Sequence, residues 1–560
     1  MKRRKFYMKI KLKDIKNDKT YQVEKGDTFI GPAREYQKET GRTVFAVKLN
    51  NNIREVFKEV NSDGEIEFID IKSPDGVKIN RRGLFFILYA AIKDLDKNDD
   101  LLVNNSLGNG IYCELKSGIP TEDMLVKIEE NMKKYIEKDL EFEKYNIDKF
   151  EAMKMFEKDN QYDKSLLFKY RKKTTVNFYR MNGYINYFYG YMPLKTSDLT
   201  DFDLIKVDKG FVLVTPNEKS PSRVPKYKHL NKLSATFNEY NEWLKILEIR
   251  TVGELNDYVS KGKHSAIELI RISEALHEKK YAQIADDIIK RKNVRLITLA
   301  GPSSSGKTTS SKRISLQLRV NGLRPVEISL DDFFVERDKT PLDEYGNYDF
   351  ESLYALDLDL FNNILTDLIK GKEVRLPRFN FVTGKREWRN NRIKITEDQP
   401  IIVEGIHGLN EKLTQSISRD KKYKVYVSAL TQLNIDKVNR IPTTDSRIIR
   451  RIVRDFNFRG HDALATIKMW PSVRRGEEHN IFPYQEEADV MFNSNLIYEL
   501  SILKIFAEPL LLKIDNSVPE YSEAKRLLKF LDYFLPITEL EEIPRKSVIR
   551  EFIGRSTFEY

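Results

Sequence analysis

The sequence predicts a multidomain chain, α+β in its first half and α/β with a mainly parallel sheet in its second. Three observations carry this. A chain of 560 residues exceeds one hydrophobic core, and at about 100–200 residues per domain it holds three or four. Residues 6–72 alternate apolar and polar positions in short runs separated by turns such as "KGDT" and "SDGE", the pattern of a small half-buried sheet. From residue 294, near-continuous apolar runs ("VRLITLA", "PVEISLDD", "QPIIVEG", "KYKVYVSA") alternate with helical segments, as parallel strands covered on both faces require.

Composition narrows the class. A hydrophobic fraction of 40%, with 28 Tyr and 31 Phe, supplies several cores. The single cysteine, Cys113, excludes an intramolecular disulfide and a cysteine-rich zinc site. In the strand-like run "GIYCEL" it reads as a small buried residue. The basic start "MKRRKFYMKIKLKD" leads into no apolar run, so it is not read as a signal peptide. No stretch of about 18 apolar residues offers a membrane span. The expectation is a cytoplasmic protein. The net charge of +11 is a mild excess that permits binding to phosphates or RNA without requiring it.

In residues 1–72, "MKIKLKD" puts Met8, Ile10 and Leu12 on one face, and "VFAVKLNN" and "EIEFIDI" repeat the pattern, with a short helix near 29–40. Residues 73–215 form the second unit. "RRGLFFILYAAIKDL" reads as an apolar helix and "LLVNNSLGNGIYCELKS" as two strands around a glycine turn. "TEDMLVKIEENMKKYIEKDLEF" reads as an amphipathic helix, N-capped by Thr121, with Leu125, Ile128, Met132 and Ile136 buried. Aromatic-rich strands follow near 175–214. Residues 216–290 are a linker and helical connector: Pro, Lys and Ser dominate 216–232, then Phe237, Tyr240, Leu244 and Leu247, and later Ile267, Ile270, Leu276 and Ile284, recur at helical spacing. The α/β unit covers 291–510, and 511–560 is a helical tail.

The stretch "GPSSSGKTT" fills the pattern G-x-x-x-x-G-K-[ST] between a strand ending at Ala300 and a helix from about Lys307. Gly301, Ser303, Ser304, Ser305, Gly306, Lys307, Thr308 and Thr309 are the expected nucleotide contacts. Glycines let successive N–H groups turn onto phosphate oxygens, and the helix N-terminus adds partial positive charge. Lys307 reaches the β- and γ-phosphates, and Thr308 offers its hydroxyl to Mg²⁺. Glu404 ends one strand, and Asp331 and Asp332 end another, where ligands of open α/β sheets bind. A carboxylate there can take the proton of an incoming hydroxyl. "DSRIIRRIVRDFNFRGHDA" crowds Arg447, Arg450, Arg451, Arg454 and Arg459 into a closing lid that would meet the transferring phosphoryl group. Arg474 and Arg475 lie downstream, placed for a second phosphate. His407, after "VEGI", reads as a loop histidine.

Taken in order, "GPSSSGKTT", "ISLDDFF", "YDF", "VRLPRFNFVTGKR", "VEGI" and "RRIVRDFNFRG" resemble the uridine kinase and phosphoribulokinase family of P-loop kinases. The resemblance implies ATP and Mg²⁺ as cofactors. It makes Asp331 the general base, which shares the metal site with Thr308 and Glu404. It gives Arg451 and Arg454 to catalysis and Asp349, Phe379 and Arg459 to the acceptor. Phe379 and Gly384 stand where uridine kinases carry a tyrosine and a histidine that touch the base, Phe334 stands where a tyrosine is usual, and His461 replaces a lid arginine. The implied acceptor is a small molecule with a free hydroxyl, a nucleoside first, then another sugar-like or already phosphorylated alcohol.

Residues 6–72 resemble the TGS domain, a β-grasp module, and residues 73–215 the second additional, editing domain of threonyl-tRNA synthetase. At the positions of the editing site's metal ligands stand Arg82, Phe86, Phe188 and Met192. Editing activity is not expected, and the unit is left a binding, regulatory or structural role. A rival reading follows, in which the P-loop unit is a nucleotide-driven switch and the front domains bind RNA.

Overall fold

In the structure, a computed structural model, residues 9–344, 346–380 and 383–559 are described; Met8 of the first expected strand lies outside them. The leading alternation becomes β1 (Lys9–Asp14), β2 (Lys19–Glu24), α1 (Ile30–Thr40), β3 (Ala46–Leu49), β4 (Asn52–Arg54) and β5 (Gly64–Ile69). They form a mixed sheet in the order β2-β1-β5-β3-β4, with β1 and β5 parallel. Ile10, Leu12, Ile66 and Phe68 point to one side and close on Phe29 and Tyr36 of the α1 segment.

The second unit opens with α2 (Pro74–Leu95). This helix begins at Pro74, ahead of the apolar run read from the sequence. The "KSPDG" boundary is its cap: the Ser73 side chain accepts from the Gly76 amide at 3.0 Å and Pro74 takes the first turn. Next come β6 (Leu101–Leu107), β7 (Gly110–Leu115), α3 (Glu122–Glu137), β8 (Glu143–Asp148), α4 (Lys149–Lys158), α5 (Tyr162–Lys169), β9 (Thr175–Met181), β10 (Tyr184–Asn186), β11 (Asp203–Val207) and β12 (Gly210–Val214). Two antiparallel sheets result, β11-β12-β7-β6 and β10-β9-β8. Thr121 caps α3 as expected, but Tyr135, not Ile136, completes the buried stripe. The Tyr135 ring is buried while its hydroxyl donates to Asp94 at 2.7 Å. Phe86 and Phe188, 5.6 Å apart, share one apolar core with Met192.

The connector holds three helices, α6 (Asn231–Leu247), α7 (Val252–Ser260) and α8 (Lys263–Lys290). The sequence reading passed over α7, although Thr251 and Glu254 form its capping box. The buried face of α8 is also more polar than expected. Ile267 and Leu276 are half-buried, whereas Ser273, Glu274, His277 and Tyr281 are buried. Glu274 accepts from Tyr498 at 2.8 Å and from Ser547, and the Tyr281 hydroxyl meets Ser310 at 3.0 Å.

The α/β unit comprises β13 (Leu296–Ala300), α9 (Lys307–Val320), β14 (Val326–Ser329), α10 (Leu358–Ile369), the hairpin β15 (Val374–Asn380) and β16 (Lys385–Ile393), β17 (Ile401–Glu404), β18 (Lys422–Ser428), α11 (Thr443–Phe458), α12 (Ala463–Asn480) and β19 (Val490–Asn493). Its sheet runs β14-β17-β13-β18-β19, every pairing parallel. The edge strand β19 was not read from the sequence. The chain continues into α13 (Glu499–Leu511), α14 (Tyr521–Leu531) and α15 (Arg550–Ile553).

The tail is not a separate body. One apolar core joins Phe156 and Phe168 of the second unit, Leu255 and Ile270 of the connector, Ile449 and Ile452 of α11, and Phe530 and Phe552 of the tail. The first sheet docks on the tail as well, through Lys48 to the Pro519 carbonyl and Asn51 to that of Asn516, both 3.1 Å.

Candidate active site

The site grows from the end of β13. A Cβ on Gly301 would lie 1.9 Å from the Val427 carbonyl oxygen of β18, so only glycine lets the loop leave the sheet there. Ser304 (φ 59°) and Gly306 (φ 82°) take left-handed conformations, which turn the loop back on itself before α9 begins at Lys307. The first-turn N–H groups of α9 have no acceptor within the helix. The Ser304 and Ser305 hydroxyls are buried without a partner among the described residues. These orphaned donors fit a phosphate chain. Ser303 departs from the expectation: its N–H donates to Glu477 at 3.0 Å and its hydroxyl accepts from Arg451 at 2.6 Å, so it braces the loop.

Lys307 folds over the cradle and donates to the Gly301 (3.0 Å) and Pro302 (3.2 Å) carbonyls. Burial pushes its pKa down, while Glu404 and Glu551 oppose the shift. Thr308 donates to Glu404 at 3.1 Å, which aligns two hard oxygen donors beside the loop, the donor chemistry Mg²⁺ takes. Burial raises the Glu404 pKa to about 7, Lys307 opposing and Asp331 and Glu551 adding to it.

Of the two acids after β14, Asp332 forms an ion pair with Arg389 of β16 at 2.7 Å. Asp331 turns to the crevice instead. Its side chain is exposed, and partial desolvation by the surrounding protein raises its pKa against the pull of Lys307 and Arg459.

The arginines separate into two groups. Arg447 and Arg450 are fully buried. Arg447 pairs with Glu477 and donates to the Ser303 carbonyl at 3.1 Å; Arg450 pairs with Glu499 and donates to the Ser304 carbonyl at 3.2 Å. Both hold the loop from behind. Arg451, Arg454 and Arg459 gather around buried Asp455, at 3.1, 2.7 and 3.8 Å. Burial first, and the neighbouring arginines with it, pull the Arg451 and Arg459 pKa values down, and Asp455 opposes the shift. α11, expected as a closing lid, is anchored in the core by Ile448, Ile449, Ile452 and Val453, with Arg459 at its C-cap. Arg474 is likewise occupied, by Glu477 at 2.9 Å and Glu478 at 3.6 Å.

On the acceptor side, Asp349 is half-buried and accepts from the Glu351 amide at 3.1 Å. Burial raises the Glu351 pKa; Lys307 and Arg451 oppose this, and Glu477 and Asp349 add to it. Phe379 is 6% exposed and backs Phe334 at 5.6 Å; Phe350 continues the row at 6.3 Å and Tyr348 at 6.0 Å beyond it. Phe379 therefore supports the aromatic wall from behind. Gly384 (φ 68°) forms the turn into β16 against Arg337. His407 is buried, with its pKa lowered to about 4 by desolvation.

The loop, the Thr308–Glu404 pair, Asp331 and the Asp455 cluster thus meet at the carboxyl ends of β13, β14 and β17. Sequence reasoning missed Asp455, Glu477, Glu351 and Glu551. Only Asp455 left a signal, four residues from both Arg451 and Arg459.

The parallel sheet and the glycine-bracketed loop at its carboxyl end are those of a P-loop nucleotide-binding domain. Residues 296–497 match the Phosphoribulokinase / Uridine kinase family. The chain is 28% identical over 201 residues to uridine kinase from Staphylococcus haemolyticus, covering 36% of this chain and 87% of that one. It is 30% identical over 168 residues to the threonine–tRNA ligase of Caldanaerobacter subterraneus subsp. tengcongensis, covering 30% of this chain and 26% of the ligase. The chain thus spans about a quarter of that ligase's length. Among solved structures, D-glycerate 3-kinase from Cryptococcus neoformans is 12% identical, covering 48% of this chain and 89% of that one, at a TM-score of 0.21, too remote to bear on function. The chain carries a C-terminal domain of the phosphoribulokinase/uridine kinase family behind regions similar to threonine–tRNA ligase.

Proposed function

We propose that the protein transfers the terminal phosphoryl group of ATP, as its magnesium complex, to a hydroxyl of a nucleoside. The observation that carries this reading is the Thr308–Glu404 pair with Asp331 and Lys307 close enough to shift its carboxyl. Magnesium, when bound, offsets phosphate charge and orients the nucleotide. Thr308 and Glu404, with Asp331 at the edge, are the residues that would hold it. The loop amides and Lys307 bind the phosphate chain. Asp331, its basicity raised by its surroundings, takes the proton of the acceptor hydroxyl. Arg451, Arg454 and Arg459 form the positive wall facing the charge that spreads over the transferring group. Positioning and electrostatics supply most of the catalysis.

Two features favour a nucleoside. The Phe334–Phe350–Tyr348 row offers flat faces for a base, and Asp349 offers a carboxylate for sugar hydroxyls. An already phosphorylated acceptor loses one of the two cations expected for it, because Arg474 is committed to Glu477 and Glu478.

The test is a panel of nucleosides and sugars given to the purified protein with ATP and Mg²⁺, beside a Lys307→Ala control. ADP release that depends on a nucleoside and vanishes in the control supports the reading. Acceptor-independent hydrolysis stimulated by RNA overturns it.

A further inference from the structure

A cavity lies away from the kinase crevice, where the first sheet, the second unit and the tail meet. It has a volume of about 370 Å³, within the range of small-ligand sites. Asn52 and Ile53 enter it from β4, Arg82 from α2, Lys144 from β8, Tyr187 to Tyr191 from the segment after β10, and Ser522 to Lys529 from α14.

Its electrostatics are one-sided. Seven cations line it against two carboxylates, Asp75 and Glu523. Glu523 is spent on Arg526 at 2.7 Å, Asp75 faces Lys78 at 3.3 Å, and Lys144 is held by Glu55. That leaves Arg82, Arg171, Lys173, Lys525 and Lys529, none with a carboxylate at ion-pair distance among the described residues. Their available partners are neutral. Arg82 donates to the Tyr191 carbonyl at 2.8 Å, Lys525 to the Asn52 side chain at 3.0 Å, and Lys529 to the Tyr189 carbonyl. Arg171 is 6% exposed, and its Nε has no partner.

Converging unpaired cations in a sheltered cavity is costly, because desolvation and mutual repulsion add. Folding alone gives no reason to gather them. The repulsion is visible in Lys529, whose pKa falls to about 7, through burial first and then through Arg171, Arg82, Lys144 and Lys173. The backbone also makes room for the charge: a Cβ on Gly190 would lie 2.0 Å from the Arg82 guanidinium carbon. Tyr187, Phe188, Tyr189 and Tyr191 give the wall an aromatic side.

We propose that this cavity is a second ligand site, distinct from the kinase crevice, which binds a small phosphorylated molecule carrying at least two negative charges. Arg171, which is buried, and the half-buried Arg82 and Lys529 are the inner anchors, Lys173 and Lys525 the outer ones, and the tyrosine-rich wall takes the uncharged part. A compact anion fits the enclosed volume better than a nucleic-acid strand, which needs an open track for its backbone.

Pyrophosphate is the probe, titrated calorimetrically into the full-length Lys307→Ala protein, which weakens the P-loop as a competing phosphate site. Saturable binding is expected. It should weaken tenfold or more when Lys529→Met is added, and again in a separate Lys173→Ala/Lys525→Ala background whose substitutions lie on the cavity's outer rim and leave the core intact. A thermal melt of each variant confirms folding. No saturable binding, or binding that both sets of variants leave unchanged, overturns the proposal. Binding of a single-stranded oligoribonucleotide without binding of pyrophosphate overturns it too.

Discussion

Glu551 accepts a 2.7 Å hydrogen bond from the hydroxyl of Thr309, so the tail closes on the first turn of the P-loop helix. Val548 covers Gly306, the Phe552 carbonyl accepts from Asn457 at 3.0 Å, and Arg450 lies over the Phe552 ring at 5.1 Å. The tail is thus part of the candidate site, and it brings a negative charge whose field reaches Lys307, Glu404 and Arg459.

That charge opposes an incoming triphosphate. Glu551→Gln keeps an acceptor for Thr309 and removes the repulsion, worth about 1 kcal/mol at such range in a surface-like dielectric. The KM for ATP is expected to fall roughly fivefold with kcat little changed. Steady-state kinetics decide it, and a higher KM shows that Glu551 assists binding.

The neighbouring acids after β14 separate structure from chemistry. Asp331→Asn is expected to lower kcat by ~10²–10⁴-fold, the span of a lost general base, with ATP binding retained. Asp332→Asn removes only the half-exposed pair with Arg389, worth under about 1 kcal/mol, and should leave kcat within about twofold. Equal losses in the two variants show that the segment's shape, not the Asp331 carboxylate, matters.

The P-loop was legible because its geometry is local: two glycines, a lysine and a threonine within one turn between a strand and a helix. The parallel sheet was legible through its apolar runs, except β19 (Val490–Asn493). What escaped was long-range and polar. Nothing near Glu551 in sequence points to Thr309, and nothing near Glu477 points to the Ser303 amide. The face of α8 was misjudged because hydrophobic spacing cannot reveal that Glu274 and His277 are buried by partners from the tail and from β19's exit. The arginine run was visible, but its division between loop braces and crevice wall depended on which carboxylate each guanidinium found.

Arg450 tests that division. It pairs with Glu499 and donates to the Ser494 carbonyl at 2.8 Å as well as to Ser304. Arg450→Met strands a buried carboxylate, at a cost of about 3–5 kcal/mol, and a thermal melt should show a large drop. Adding Glu499→Leu should recover most of that stability. Nucleotide affinity should stay low in the double variant, because the Ser304 carbonyl still lacks its donor. Recovery of both properties together assigns Arg450 to stability alone.

Lys529 gives the basic cavity a signature in stability. The groups facing it are Arg82 from α2, Lys144 from β8, and Arg171 and Lys173 from the turn before β9, with Glu523, Lys525 and Arg526 on its own helix. Its folded pKa of about 7 lies below the ordinary 10.5, so between those values the unfolded chain holds a proton that the folded chain has shed. Stability therefore rises with pH across that window, by at most about 1.4 kcal/mol per pH unit. Tyrosines and Cys113 also titrate at alkaline pH, so the measurement is the difference between wild type and Lys529→Met in urea melts at pH 7 and pH 9. Wild type should gain on the variant as pH rises. Saturating pyrophosphate at both pH values should shrink that gain, because an anion beside Lys529 holds its proton in the folded state. Parallel curves for the two proteins would mean that Lys529 keeps its charge in the folded state and that the cavity's cations do not press on one another.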